Sequence, residues 1–107
     1  MATYCEKFYT HTMIINASIQ VIPLASKKET SYGFVDKVIE MIQGSELKSI
    51  IGAFETTIEG DYHVVQKLLK DIQDFCYSQK QVEFLIYSKL HCCGDKDIKL
   101  EQKRLDR

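Results

Sequence analysis

The chain has 107 residues, and 14 Lys and Arg against 15 Asp and Glu give a net charge of −1. This length makes one domain with one modest core, and the balanced charge argues against a dedicated nucleic-acid binder, which normally carries a basic patch or stripe. No apolar run approaches the roughly 20 residues that span a bilayer, and "MIIN" is shorter than a signal-peptide core of roughly 7–15 apolar residues. We therefore expect a single-domain cytoplasmic protein that binds neither membrane nor nucleic acid.

The first predicted strand runs from Met13 to Leu24 and is rich in Ile and Val. We expect Pro23 to end this strand or to lie at an edge, because proline cannot donate to a ladder. Residues 1–11 show no clean period and either extend the strand or pack as an arm. Alternation assigns Ala17, Ile19 and Val21 to one face and Ser18, Gln20 and Ile22 to the other.

A polar loop, "ASKKETS", leads to a predicted helix over Ser31–Gln43. Thr30 or Ser31 can supply the N-cap oxygen, and Gly44 suits a left-handed C-terminal position. The apolar stripe of this helix consists of Val35, Val38, Ile39 and Ile42.

The segment "ELKSIIGAFETTIEG" predicts two strands joined by a turn near Gly52–Ala53, where Gly52 permits a positive φ. The second of these strands covers Phe54–Glu59, and Gly60 breaks it. Asp61 then caps a second helix that extends to about Ser78. The apolar stripe of this helix consists of Val65, Leu68, Leu69, Ile72 and Cys76.

The last predicted strand covers Gln81–Cys92, and the charged tail from Lys96 is expected to be an edge segment or a frayed end. The order β-α-β-β-α-β predicts an α+β, ferredoxin-like fold, with two helices on one face of a four-stranded antiparallel sheet. One domain is expected over 1–107, with its core at about 12–95 and the tail at 96–107. The uncovered face of the sheet is a common place for dimerisation or ligand binding.

The segments "ASIQVIPL", "GAFETTIEGD" and "YSKLHCCGD" occur in this order along the chain, and together they resemble the YkoF-like thiamine- and hydroxymethylpyrimidine-binding family. "ASIQVIPL" is similar to its first strand, which ends in an apolar-Pro pair, and "GAFETTIEGD" is similar to its Thr-x-apolar-x-Gly strand, here Thr56, Ile58 and Gly60. "YSKLHCCGD" is similar to its terminal Cys-x-Gly-Asp turn. The match spans roughly 17–95, although Cys93 replaces a frequent proline and the N-terminal arm does not match.

The resemblance implies a ferredoxin-like fold, no catalysis, no cofactor, and binding of thiamine or its hydroxymethylpyrimidine moiety. Because family members form tandem domains or oligomerise through their sheets, it also implies that this single copy forms a homodimer or tetramer.

Thiamine requires hydroxyls, amides or a carboxyl for its aminopyrimidine, a flat apolar wall, and acids or an aromatic face for its cation. Phe54, Tyr32 and Tyr87 are candidate walls. The candidate polar ligands are Ser18, Gln20, Ser49, Thr56, Thr57 and Ser88, with Glu55 as the carboxylate. Each also has an ordinary structural interpretation, since Thr favours strands and strand carboxylates are commonly solvated.

Other functions have weaker support in the sequence. No catalytic residue is predicted, because the three histidines are far apart and no Gly-rich phosphate loop or nucleophile elbow is present. One alternative is a regulatory ferredoxin-like domain whose open sheet serves only oligomerisation. Another is a metal-handling domain using His91, Cys92 and Cys93, although adjacent strand residues point apart and no C-x-x-C occurs.

Overall fold

The computed structural model describes residues 13–25, 28–52, 54–80 and 82–103. Its elements are β1 (Ile14–Ala25), α1 (Lys28–Gly44), β2 (Lys48–Ile51), β3 (Thr56–Asp61), α2 (Tyr62–Ser78), β4 (Glu83–His91) and a 3₁₀ turn (Leu100–Lys103). The strands form one antiparallel sheet in the order β2-β3-β1-β4. This arrangement confirms the ferredoxin-like prediction. The predicted N-terminal arm and the side chain of Tyr32 lie outside the described residues.

Strand β1 is central, but its two partners cover different lengths of it. Pairing with β3 ends at Ile19–Thr56, whereas pairing with β4 continues to Ala25. Pro23 does not end the strand as one alternative had it. It lies where β4 alone pairs with β1, which is an edge position that tolerates a missing N–H.

The helix ends differ from the sequence prediction at α1 and agree with it at α2. Helix α1 begins at Lys28, upstream of the predicted caps Thr30 and Ser31. The left-handed residue after α1 is Glu46, with φ 65°, and not Gly44. Asp61 caps α2 as predicted, because its carboxylate accepts from the N–H groups of His63 (3.0 Å) and Val64 (3.4 Å).

Two glycine predictions were wrong in their mechanism. Gly52 does not adopt a positive φ; instead, a Cβ there would lie 2.8 Å from the carbonyl oxygen of Glu55. Gly60 does not break β3, because it pairs with Ile15 inside the sheet. A Cβ at Gly60 would collide with the side chain of Leu47. Close approach of a backbone carbonyl accounts for glycine at position 52, whereas at Gly60 the near atom is the end of the flexible Leu47 side chain, which can move aside.

The core lies between the sheet and the two helices. Its fully buried centre includes Ile15, Ile58, Ile42, Val65 and Ile72, so the predicted stripes of both helices face the sheet. Among the described helices, none is long and apolar enough to cross a membrane.

The opposite face of the sheet is covered at one end by residues Asp97–Lys103, which we call the C-terminal strap. The N–H of Ile98 donates to the carbonyl of Ile14 (2.9 Å), and the Asn16 amide donates to the carbonyl of Ile98 (3.0 Å). Farther along, the N–H of Leu100 donates to the Glu59 carboxylate (2.9 Å). Ile98 and Leu100 are buried, so the strap is not the frayed end that was one alternative, and its hydrogen bond to Ile14 is consistent with the other alternative, an edge segment.

Candidate functional site

A cavity of about 140 Å³ lies between α1 and the C-terminal half of β1. The turn between β2 and β3 forms its third side. Its lining from α1 is Val35, Val38, Ile39 and Ile42; the sheet contributes Ile19, Gln20, Val21, Ile51 and Thr56; the turn contributes Gly52, Phe54 and Glu55. Most of this wall is aliphatic, with a small number of polar groups, which is the usual composition of a small-molecule site.

The backbone of β1 supplies part of the polarity at this cavity. The N–H of Tyr62 donates to the carbonyl of Met13 (2.9 Å), so the odd-numbered residues of β1 turn their N–H and C=O groups toward β3. Ile19–Thr56 is the last pair with β3. The next such groups are those of Val21, and they lie beyond the ladder, at the cavity. A donor and an acceptor of one residue are thus available side by side.

Thr56 is the predicted site residue whose side chain lies on the helix-covered face beside this backbone. It is 7% exposed and pairs with Ile19 at the end of the ladder. Gln20 also borders the cavity, but alternation places its side chain on the open face, so its contribution is main-chain.

Glu55 borders the cavity while its carboxylate is engaged elsewhere. A carboxylate oxygen of Glu55 lies 3.7 Å from Nζ of Lys89. Because Lys89 pairs with Ser18 across β1 and β4, this ion pair crosses the open face of the sheet. The carbonyl of Glu55 accepts from the N–H of Gly52 (3.0 Å) and closes the turn.

The remaining predicted residues lie away from the cavity and on both sides of the sheet. Ser18 and Thr57 pair with each other on the open face; Ser18 is buried, and its hydroxyl oxygen has no hydrogen-bond partner in the described part of the chain. Ser88 is on the helix-covered side and donates to the carbonyl of Ser18 (2.9 Å). Ser49 pairs with Ile58 on β3 and is half-buried on the helix-covered side.

The cysteine and histidine residues do not assemble a metal site within the described ranges. Those ranges contain no group of three His, Cys, Asp or Glu side chains placed to hold an ion. The thiol of Cys93 donates to Asp95 (2.9 Å). Burial raises the pKa of the Cys76 thiol, which keeps it protonated and makes it a poor nucleophile.

Sequence reasoning missed the aliphatic half of the cavity and the contribution of Val21. The apolar stripe of α1 does not reveal the cavity, because periodicity identifies a buried face without showing where the packing stops. The role of Val21 depends on β3 being shorter than β1, which only the strand register reveals.

The fold and cavity define a ferredoxin-like domain with a small pocket beside its central strand. Residues 17–106 match the family model described as thiamine-binding protein, and the chain belongs to that family. The resemblance noted in the sequence is thereby confirmed.

Related sequences and structures agree with this assignment. A UPF0045 protein of Clostridium perfringens is 34% identical over 64 residues, which cover 60% of this chain and 66% of that protein. A UPF0045 protein of Eremothecium gossypii is 27% identical over 93 residues, 87% of this chain and 86% of the relative.

Solved structures share the fold. The structure of a domain of unknown function, DUF77, from Bacillus cereus has 30% identity and a TM-score of 0.75, covering 86% of this chain and 88% of that one. A proposed thiamine biosynthesis or salvage protein of Thermotoga maritima has 23% identity and a TM-score of 0.71, with 84% and 94% covered.

Proposed function

We propose that the chain binds thiamine or its hydroxymethylpyrimidine moiety, without transforming it, in the cavity beside Val21 and Thr56. The observation that carries this proposal is the free edge of β1: a backbone donor and acceptor next to a buried hydroxyl, enclosed by aliphatic walls. Membership of the thiamine-binding family supports the same ligand class.

The chemistry of the aminopyrimidine is complementary to this edge. Its ring nitrogen accepts a hydrogen bond and its exocyclic amine donates one, so together they match the N–H and C=O of Val21. The Thr56 hydroxyl can donate or accept beside them. The ring itself is flat and apolar enough to pack against Val35 and Ile39.

The size of the cavity favours one ring of the vitamin. Its volume of about 140 Å³ is below the roughly 300–1,000 Å³ of pockets that bury drug-sized ligands. The pyrimidine half would occupy the cavity, and the thiazolium of thiamine would extend toward solvent. A charged ring left near water avoids the cost of burying an unpaired charge.

The proposal includes a homodimer or tetramer acting in the cytoplasm as a carrier, buffer or sensor of the vitamin. Support for self-association comes from exposed apolar side chains on the open face, beyond the strap: Leu24, Ile50, Leu85 and Tyr87. Light scattering of the purified chain at increasing ionic strength tests self-association. If the interface is apolar, the oligomer keeps its molecular mass as salt is added. A monomeric mass at all protein concentrations would contradict self-association.

Thermal unfolding with thiamine, hydroxymethylpyrimidine and zinc tests the ligand. A molecule that binds only the folded state raises the melting temperature, and we expect both organic ligands to do so. Stabilisation by zinc alone would favour the metal-handling alternative, and indifference to all three would favour the regulatory one.

The adjacent threonines of β3 provide a matched pair of variants. Thr56→Val removes the hydroxyl at the cavity and should weaken binding in calorimetry with little loss of stability. Thr57→Val makes the same chemical change on the opposite face and should leave the affinity unchanged. Equal affinities for both variants would remove Thr56 from the site.

A further inference from the structure

Phe54 stands out among the residues that line the cavity. This residue is 84% exposed, although it borders a mostly aliphatic pocket. A phenylalanine that stays in water contributes little to the core, so packing within the described fold does not explain it. Phe54 therefore combines a flat, solvent-accessible apolar ring with a place among the residues that border the cavity.

The position of Phe54 is constrained by the turn that holds it. The N–H of Gly52 donates to the carbonyl of Glu55 (3.0 Å), and Glu55 is followed directly by β3. The absence of a Cβ at Gly52 permits this close approach. Phe54 is therefore attached to a hydrogen-bonded turn anchored at the sheet.

We propose that Phe54 provides the stacking surface for the bound heterocycle and makes the cavity selective for flat aromatic rings. This inference rests on the proposed function and adds a specificity-determining residue to it. Among the described lining residues Phe54 is the aromatic one, whereas Val21 and Thr56 supply hydrogen-bonding groups at the same cavity. In this proposal, the backbone of Val21 hydrogen-bonds to the edge of the heterocycle, and the ring of Phe54 stacks on its face.

Three substitutions separate stacking from simple apolar contact. Phe54→Leu keeps an apolar side chain without the ring, and we expect it to weaken hydroxymethylpyrimidine binding about two- to twelvefold, the range typical of aromatic pairs. Phe54→Ala should weaken it further. Tyr77→Ala is the control, because Tyr77 is 79% exposed and does not line the cavity.

Phe54→Trp gives a direct optical readout. The chain contains no tryptophan, so the introduced indole is a single reporter, and its emission should shift when hydroxymethylpyrimidine or thiamine saturates the site. Calorimetric binding that is unaltered by Phe54→Ala, together with unchanged indole emission, would overturn this inference alone. Failure of the unaltered chain to bind either molecule would overturn the proposed function as well.

Discussion

At each end of β1 a neighbouring strand stops before β1 does, and the backbone N–H and C=O groups left there are treated differently at the two ends. At the Ile14 end, where β4 has stopped, the N–H of Ile14 donates to the Asp97 carboxylate and its carbonyl accepts from Ile98, both at 2.9 Å. At the Val21 end, where β3 has stopped, no described strand takes its place, and the cavity lies there.

This difference separates stability from binding. Unpaired backbone groups away from water are costly, and the strap satisfies those at Ile14 from within the chain. Those at Val21 border an open cavity, where water or a ligand can satisfy them. One end of the strand is therefore expected to govern unfolding, and the other to govern affinity.

The largest expected effect is at the strap. Ile98→Ala should lower the free energy of unfolding by about 2–5 kcal/mol, because Ile98 is buried and its removal leaves a gap over the sheet. Urea denaturation measures this. Val64→Ala is the control, since Val64 is 43% exposed on α2, away from the strap and the open face, and should change stability by less than about 0.5 kcal/mol.

Thiamine affinity should be unchanged in Ile98→Ala under conditions where the variant is folded. A large loss of affinity without a matching loss of stability would contradict the separation of the two ends.

A smaller effect is expected at the turn beside the cavity. Gly52→Ala places a Cβ against the Glu55 carbonyl at 2.8 Å, which should cost about 1–3 kcal/mol through overpacking and should weaken thiamine binding by displacing Phe54. Gly33→Ala is the matched control. Gly33 is in α1 with no atom near the added Cβ, so this change should stabilise the chain by about 0.5–1 kcal/mol. Denaturation measures the stability of the two variants, and calorimetry measures their affinity for thiamine. Equal changes in Gly52→Ala and Gly33→Ala would contradict a close contact at Gly52.

Much of the fold could be predicted from the sequence because it depends on local periodicity. The stripes of α1 and α2 and the alternation of β1 recur every few residues, so they are legible without tertiary information. The Asp61 cap is equally local. The strap was not predictable in this way, because two apolar residues in a charged segment show no period, and their burial depends on Asn16 and Glu59, which are distant in sequence.

The candidate site was only partly accessible for a related reason. Residue types suitable for thiamine are present on all four strands, but alternation along a strand does not show which face the helices cover or where a ladder ends. The register puts Thr56 beside the cavity and Thr57 on the open face of the sheet, although both are hydroxyl residues adjacent in sequence. That position 21 is a valine does not show that its backbone N–H and C=O groups lie beyond the ladder with β3.

The smallest expected effect is that of removing the Glu55 carboxylate, whose ion pair lies on the open face of the sheet and not in the cavity. Its ion pair with Lys89 is 3.7 Å long, with the two side chains 37% and 77% exposed, and exposed pairs of this kind contribute about 0–1 kcal/mol. Glu55→Gln should therefore change stability by no more than that amount, and a double-mutant cycle with Lys89→Gln isolates the pair. Thiamine affinity should stay the same, because the carboxylate faces away from the cavity. A tenfold loss of affinity, roughly 1.4 kcal/mol, that hydroxymethylpyrimidine does not share would instead assign the carboxylate to the thiazolium cation and extend the site around the edge of the sheet.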